Sequence, residues 1–318
     1  MAVHLPSSFP ETAYLLGAIR DHWPEQETSG EDDKRYMFAA WPIVDYVAEY
    51  GLNYPAIAPP LLRYLTPLFS AEFAIRPFLE THPEETYNQM SLWCMDRNEH
   101  VRRLASEGIR PRLPWGKKLP QYINDPTPVI LLLENLKDDP SDYVRRSVAN
   151  NLNDIAKDHP ELVIDTCRRW QADKVAARQW VIRHATRTLV KQGHPAVFSL
   201  LGFTRYPKLR VEAPELSTRH LLLGDELTFT SQITSTSDKK QYVVIDYAVH
   251  YMKANGQTAP KIFKWKNLRL KPGQTVTLRK SQAFKKITTR RHYPGEHKIE
   301  VLVNGKHATA TTFELHIP

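Results

Sequence analysis

The sequence predicts a chain that is α first and β second: an array of stacked helical pairs followed by a β-sandwich. Three observations carry this. The apolar period changes near residue 210 from one suited to helices to strict alternation. A short motif ending in arginine recurs through the helical part, the mark of a repeat architecture. The surplus positive charge belongs entirely to the second part. Domains are expected at 1–210 and 211–318, with the boundary in "YPKLRVEAPE".

Length and composition suit this reading. A chain of 318 residues, 42% apolar and 25% charged, has enough material for two cores. The start, "MAVHLPSSFPETAYLLGAIRDHW", lacks the basic segment and sustained apolar run of a secretory signal, and the longest apolar run, "PVILLL", is far short of a membrane span. No membrane partner is expected. Cys94 and Cys167 are isolated, spaced for neither disulfide nor metal, which fits reduced thiols in a bacterial cytoplasm. A monomer is expected, because no coiled-coil or symmetric apolar stripe stands out.

Taken in order, residues 1–40 give no clear pattern, and "PEQETSGEDDKR" reads as a polar loop. Helical spacing runs through "AAWPIVDYVAEYG", "PPLLRYLTPLFSAEFAIRPFL" and "PVILLLENL", broken at "KDDPSD" and "KQGHP". Then "ELTFTSQITSTS", "QYVVIDYAVHYM", "KIFKWKNLRL", "QTVTLRK", "HKIEVLVNG" and "HATATTFELHI" alternate and are rich in β-branched residues. Turns fall at "ANGQ", "KPGQ" and "VNGK". About seven strands in roughly 100 residues suggest an immunoglobulin-like sandwich, without the cysteine pair of antibody domains.

Four stretches share one pattern of polar, aromatic or His, apolar, any residue, Arg. They are Glu72–Arg76, Glu99–Arg103, Asp142–Arg146 and Gln179–Arg183, starting 27, 43 and 37 residues apart. The later spacings are those of a solenoid of HEAT-like repeats, in which stacked helix pairs share a core and present a concave surface. With Val144, Val148, Leu152 and Ile155 as the buried stripe, Arg146, Asn150 and Asp154 lie on another face. The same register groups Glu72, Arg76 and Glu80; Arg103 and Glu107; and Arg183, Arg187 and Lys191. An array of arginines suits a phosphate track, but carboxylates on that track would repel DNA unless they act on it. The bland alternative is a structural ladder on a protein-binding scaffold, each acid bonding the next repeat's Arg.

From Glu212 onward 17 Lys and Arg face 9 acids, a net +8 equal to that of the whole chain. Such a surplus fits a nucleic-acid partner, or a soluble basic domain with none. "AFKKITTRRHYPG" sets Lys285, Lys286, Arg290 and Arg291 beside His292 and Tyr293. Lys261, Lys264, Lys266 and Arg269 are expected largely on one sheet face, so that this domain clamps the duplex. The histidines lack metal-ligand spacing, and neither a phosphate-binding glycine loop nor a nucleophile elbow is present. No metal and no cofactor are expected.

The words around the repeat are more specific than the repeat. "LTPLFSAEFAIRPFL", "NEHVRRLASEGIRPRLPWGKKL", "DYVRRSVANNLNDIAKDHPELV" and "WVIRHATRTLVKQGHPAVFSLLGF" closely resemble the AlkC branch of the HEAT-like-repeat DNA glycosylases, relatives of AlkD. The resemblance covers roughly Trp41 to Phe203 and extends in architecture to the Ig-like domain that some AlkC-type proteins carry. It implies excision of cationic N3-methylated bases, such as 3-methyladenine, from double-stranded DNA, without flipping the base into a deep pocket. Carried onto this sequence, the lesion-site positions are Glu72 of "SAEF", Glu107 of "ASEG", Trp115 of "LPWG" and Asp154 of "NLND".

The chemistry fits that set. A base methylated at N3 is already cationic and leaves with little acid assistance. Glu107 or Asp154 would stabilise the oxocarbenium-like deoxyribose and orient water, with Glu72 in support. No lysine stands out as a Schiff-base former, so a monofunctional enzyme is expected. Trp115, in a Pro- and Gly-punctuated connection, suits stacking on a sugar or base; Trp180 and Trp93 suit packing. Against this stands a non-enzymatic HEAT/Ig scaffold binding nucleic acid or protein. Carboxylates converging beside Trp115 would favour the enzyme, and carboxylates fully paired with Arg the scaffold.

Overall fold

The computed structural model describes residues 5, 6, 8–23, 31–173, 175–286 and 291–317, with the backbone alone for 31–37. The chain divides into two compact units, Met1–Thr186 and Arg187–Pro318. The first comprises α1 (Phe9–Asp21), α2 (Glu31–Tyr50), α3 (Ala58–Leu65), α4 (Arg76–Thr81), α5 (Pro83–Trp93), α6 (Glu99–Gly108), α7 (Pro120–Asn124), α8 (Thr127–Leu136), α9 (Asp142–Ile155), α10 (Pro160–Gln171) and α11 (Ala176–Ala185).

Proline stands in the first turn of α3, α4, α5, α7, α8 and α10, where its missing N–H costs no intrahelical bond. At α6 the Asn98 side chain caps the helix by accepting from His100 N at 2.8 Å. Helix α9 packs against both α6 and α11. Its stripe of Val144, Val148, Leu152 and Ile155 is buried, as its spacing requires. Each such side chain contributes roughly 1.5–3 kcal/mol.

Two expected continuities are broken. Helix α3 stops at Leu65, residues 66–75 run through turns between Pro67 and Pro77, and α4 begins only at Arg76. Thr66 Oγ1 holds that turn by accepting from Ala71 N at 3.1 Å. Glu72 therefore sits in a turn and not at the head of a helical stripe. The row Arg183, Arg187, Lys191 is likewise interrupted: α11 ends at Ala185, and Thr186 donates back to Ile182 O at 2.8 Å. Arg187 and Lys191 belong to a separate helix, α12 (Arg187–Lys191), in the second unit.

The second unit continues with α13 (Pro195–Leu200), β1 (Leu209–Val211), β2 (Glu215–Leu216), β3 (His220–Leu222), β4 (Glu226–Ser235), β5 (Gln241–Met252), β6 (Thr258–Leu270), β7 (Thr275–Ala283), β8 (Gly295–Val303) and β9 (Lys306–His316). Strands β1, β2 and β7 all pair with β4 in one sheet, and the other runs β3-β9-β8-β5-β6. Pairing is antiparallel except between β3 and β9. Leu227 and Phe229 of one sheet share a buried cluster with Tyr247, Val249, Phe313 and Leu315 of the other.

This unit reaches back to residue 187, ahead of the division expected at 210, and the turn that follows α13 is bonded to its sheets. Thr204 N donates to Tyr242 O at 2.7 Å, and Asn304 Nδ2 to Thr204 O at 2.8 Å. At the β8–β9 turn, a Cβ on Gly305 would lie 2.5 Å from Gly193 Cα, and its φ is +70°; only glycine fits.

A β-bulge corrects the expected lysine face. Between Ile245 and Asp246 the β5–β6 register shifts and leaves Trp265 as the extra residue. Lys261 and Lys266 consequently oppose Val249 and Ile245, on the core side of the sheet. Lys264 and Arg269 oppose Asp246 and Tyr242, on the other side.

Candidate active site

Three carboxylates and three cations of the helical unit alternate in one row. Arg103 of α6 donates to Glu72 Oε2 at 2.6 Å and to Ser70 Oγ at 3.0 Å, and its other Nη lies 3.7 Å from Glu107 Oε1. Arg110, just past the end of α6, donates from Nη1 to Glu107 Oε1 at 2.5 Å and from Nε to Asp154 Oδ2 at 2.8 Å, with Nη2 2.7 Å from that same oxygen. Lys157 Nζ, beyond α9, donates to Asp154 Oδ1 at 3.0 Å. Ser147 donates to Glu107 Oε2 at 2.5 Å, and Asn151 ties α9 to α6 by donating to Ser106 O at 2.8 Å.

Exposure is uneven along the row. The side chains of Glu107 and Asp154 are 6% and 4% exposed, and Lys157, at 42%, is the most open of the cations. For Arg110, burial is the strongest influence and favours losing the proton. Glu107 and Asp154 together outweigh it and hold its pKa above the ordinary arginine value. Arg103 behaves alike: burial acts to lower its value, but Glu107 and Glu72 raise it further.

The loop from 109 to 119 presents Trp115. Its indole is fully exposed and its backbone is left-handed, φ +62°, an arrangement unfavourable for a bulky residue by about 1 kcal/mol or more. Such strain persists only where the surroundings impose it. Gly116 packs on Phe73, Leu119 N donates to Pro111 O at 3.1 Å, and Arg76 staples the loop at both ends. Arg76 Nη1 donates to Gly108 O at 2.7 Å and Arg110 O at 2.9 Å, and Nε to Lys117 O at 2.8 Å. Beside the loop lies a cleft of about 500 Å³ lined by Trp41, Asp45, Phe73 and Trp115.

Arg76 corrects the sequence expectation. It is 2% exposed with its donors turned to backbone carbonyls, so it is a structural staple and not a phosphate contact. Burial, then the like charge of Arg110, lowers its pKa to about 10, which leaves it cationic at neutral pH. Arg103 is committed to Glu72 and stacks over the Tyr143 ring at 4.7 Å. Arg146 and Arg183 are exposed, Arg187 is half-buried, and Asn150 Oδ1 lies 3.1 Å from His184 Nε2. In the β unit Lys285, Lys286 and Arg291 are exposed, the last over Tyr293 at 5.4 Å. Arg290 lies outside the described residues.

All three acids are thus paired, the arrangement by which a scaffold ladder was to be known. A ladder exists elsewhere, however. Arg102 grips Asp139 through two bonds of 2.6 and 3.0 Å, and Arg178 grips Asp138 with bonds of 2.7 and 2.5 Å. These tie α6 and α11 to the α8–α9 turn independently of the Glu107–Asp154 row. Sequence reasoning missed Arg110, Ser147 and Lys157. Arg110 had one visible signal, its place three residues after Glu107 at a helix end; the approach of Asp154, 44 residues on, had none.

Among the described residues no helix is long and apolar enough to cross a membrane, and no cluster of three or more His, Cys, Asp or Glu could hold a metal. Residues 69–189 match the family model of a DNA alkylation repair enzyme, and residues 210–317 that of the uncharacterised protein YhaZ C-terminal Ig-like domain. The uncharacterized protein YhaZ of Bacillus subtilis (strain 168) is 40% identical over 271 residues, 85% of this chain and 75% of its own length. The structure of Pseudomonas fluorescens alkylpurine DNA glycosylase AlkC, bound to DNA containing an abasic site analog, matches with a TM-score of 0.90 and 38% identity, covering 99% of this chain and 84% of that one. The chain belongs to the AlkC branch of the DNA alkylation repair enzyme family, in the form that carries a C-terminal Ig-like domain.

Proposed function

We propose that this protein is a monofunctional DNA glycosylase that hydrolyses the N-glycosidic bond of cationic N3-methylated bases, such as 3-methyladenine, in duplex DNA without flipping the base. The helix pairs act as a solenoid of HEAT-like repeats that grips the backbone, and the two sheets as a basic Ig-like sandwich that adds to the grip. A monomer working in the bacterial cytoplasm suffices. One observation carries the reading: two buried carboxylates, Glu107 and Asp154, meet on one guanidinium, and the loop that supplies it presents a strained, fully exposed Trp115.

The chemistry follows from those groups. As the C1′–N bond breaks, its electron pair goes to the base and cancels the ring's positive charge, so no acid is needed. Positive charge develops on the deoxyribose instead, where fixed carboxylates lower the barrier. Asp154 Oδ1, whose partner Lys157 is the most exposed cation of the row, orients the water and takes its proton, while Glu107 acts by charge. Trp115 stacks on the exposed sugar or base. The pairing of all three acids also favours the scaffold reading, in which the row is only structural.

Release of 3-methyladenine from methylated duplex DNA separates the two. The wild type is expected to release it, Glu107→Gln and Asp154→Asn to bind DNA without doing so, and Trp115→Gly to lose activity while staying within about 1 kcal/mol of wild-type stability. A folded, DNA-binding wild type that releases no methylated base leaves only the scaffold.

A further inference from the structure

Arg110 belongs neither to the expected DNA-contacting set nor to the lesion-site set, yet it is the most constrained side chain of the site. Its backbone carbonyl accepts from Arg76 Nη1 at 2.9 Å, and its N–H reaches Glu107 O at 3.3 Å. Its guanidinium, 7% exposed, is fixed by two acids from different repeats. A planar guanidinium presents its donors in a rigid fork, so two carboxylates bonded to it take a defined mutual orientation.

The lone pairs show what this leaves free. Arg110 saturates Oδ2 of Asp154 with Nε and Nη2, so only Oδ1 faces anything exchangeable. On Glu107, Arg110 takes Oε1 and Ser147 takes Oε2. Around the pair stand Arg103 with Glu72 on one side, Lys157 on the other, Arg76 beneath, and Ser147 and Asn151 from α9. Without the central cation two carboxylates would face each other in a water-poor site, an arrangement in which one ordinarily takes up a proton.

We infer that Arg110 is a positioning residue for the reaction: it fixes Glu107 and Asp154 against each other and leaves Asp154 Oδ1 as the oxygen that takes the water. The inference rests on the glycosylase reading. It makes the acid pair a single device, so that loss of the bridge disables both acids although neither is altered.

The test compares wild type, Arg110→Gln and Arg110→Lys. It uses single-turnover 3-methyladenine release as a function of pH, affinity for duplex DNA carrying a tetrahydrofuran abasic analogue, and thermal melting. For Arg110→Gln the rate is expected to fall about 100-fold, the cost of misplacing a catalytic group by about an ångström, with DNA affinity within about threefold of wild type. Its acid limb should move to higher pH by about one unit or more. Arg110→Lys keeps the buried charge, so it should fold, keep the wild-type acid limb and recover only part of the rate, since an ammonium lacks the fork. In a double-mutant comparison, Arg110→Gln should add little to Asp154→Asn. A rate within threefold of wild type in Arg110→Lys with an unmoved acid limb in Arg110→Gln overturns the inference, as does a loss of DNA affinity equal to the loss of rate. Should Arg110→Gln fail to fold, the Lys variant decides alone: a full wild-type rate overturns the inference. A wild type that releases no base sinks the glycosylase reading itself, which is a different result.

Discussion

The two units handle charge in opposite ways. In the helical unit five arginines are committed inward, Arg76 to carbonyls, Arg102 and Arg178 to Asp139 and Asp138, Arg103 and Arg110 to the carboxylate row, while Arg146 and Arg183 stay exposed. In the β unit Lys285, Lys286, Lys264, Lys266 and Arg291 are exposed. Its buried acid, Asp246, feels Lys264 and Lys191 only through space. A buried cation with fixed partners can orient a reacting group, whereas a solvated one adds affinity that salt removes. On the proposed reading, chemistry belongs to the first unit alone, and the second only adds to its grip.

The sharpest break in that contrast would come from Asp154→Asn. Base release is expected to fall about 100- to 1,000-fold, the range seen when a charge-stabilising group is removed from a reacting centre, with DNA binding retained. Equal losses in rate and affinity would mean that the row only binds. Arg76→Met comes next. It strips three backbone carbonyls of their buried cation and should cost about 3 kcal/mol or more, lowering the melting temperature of the helical unit by roughly 10 °C. Activity should fall with it, because Arg110 and Trp115 ride on the stapled loop. A variant as stable as wild type would show that the staple is dispensable.

Asp246 tests the β unit. Burial raises its pKa to about 6, against the pull of Lys264 and Lys191. The folded value lies above the unfolded one, so between about pH 4 and 6 the folded protein keeps a proton that the unfolded chain has released. Its contribution is therefore present at low pH and lost as pH rises through 6. Asp246→Asn should stabilise the unit at pH 7 by about 2 kcal/mol and flatten the dependence between pH 4 and 7, as followed by denaturant melts. The smallest effect is expected from Lys285→Gln with Lys286→Gln. The slope of log affinity against log salt should shrink by about 1–2, with the single-turnover rate unchanged. An unchanged slope would remove this stretch from the DNA interface.

Legibility in the sequence followed the regularity of the backbone. Helix α9 was readable because Val144, Val148, Leu152 and Ile155 keep one period over a run without breaks. Strand β5 was readable to the residue for the same reason. Arg76 was misread because the period was carried across Pro67 and Pro77, where the chain turns and then restarts. The lysines of β6 were misread because the three-residue steps from Lys261 to Lys264 and from Lys266 to Arg269 already change face under alternation, and the bulge at Trp265 then separates Lys264 from Lys266. Strands β1, β2 and β3, two or three residues long, are too short to have a period. Glu107 and Asp154 were grouped by helical register and given their expected role by resemblance, but the residue that joins them was not seen, since contact across 44 positions leaves no trace in spacing.

The strict alternation of the row, from Glu72 through Arg103, Glu107, Arg110 and Asp154 to Lys157, sums to zero formal charge. Viewed from beyond a Debye length, roughly 8 Å at physiological salt, such a row presents only higher multipoles, which die away steeply with distance. A polyanion drawing near is therefore not turned back by the acids, and a damaged cationic base exerts no long-range pull on them. Only at contact does a single oxygen dominate the local field. On the proposed reading, discrimination between a methylated and a normal base is then a near-field event, available only after the DNA has been seated.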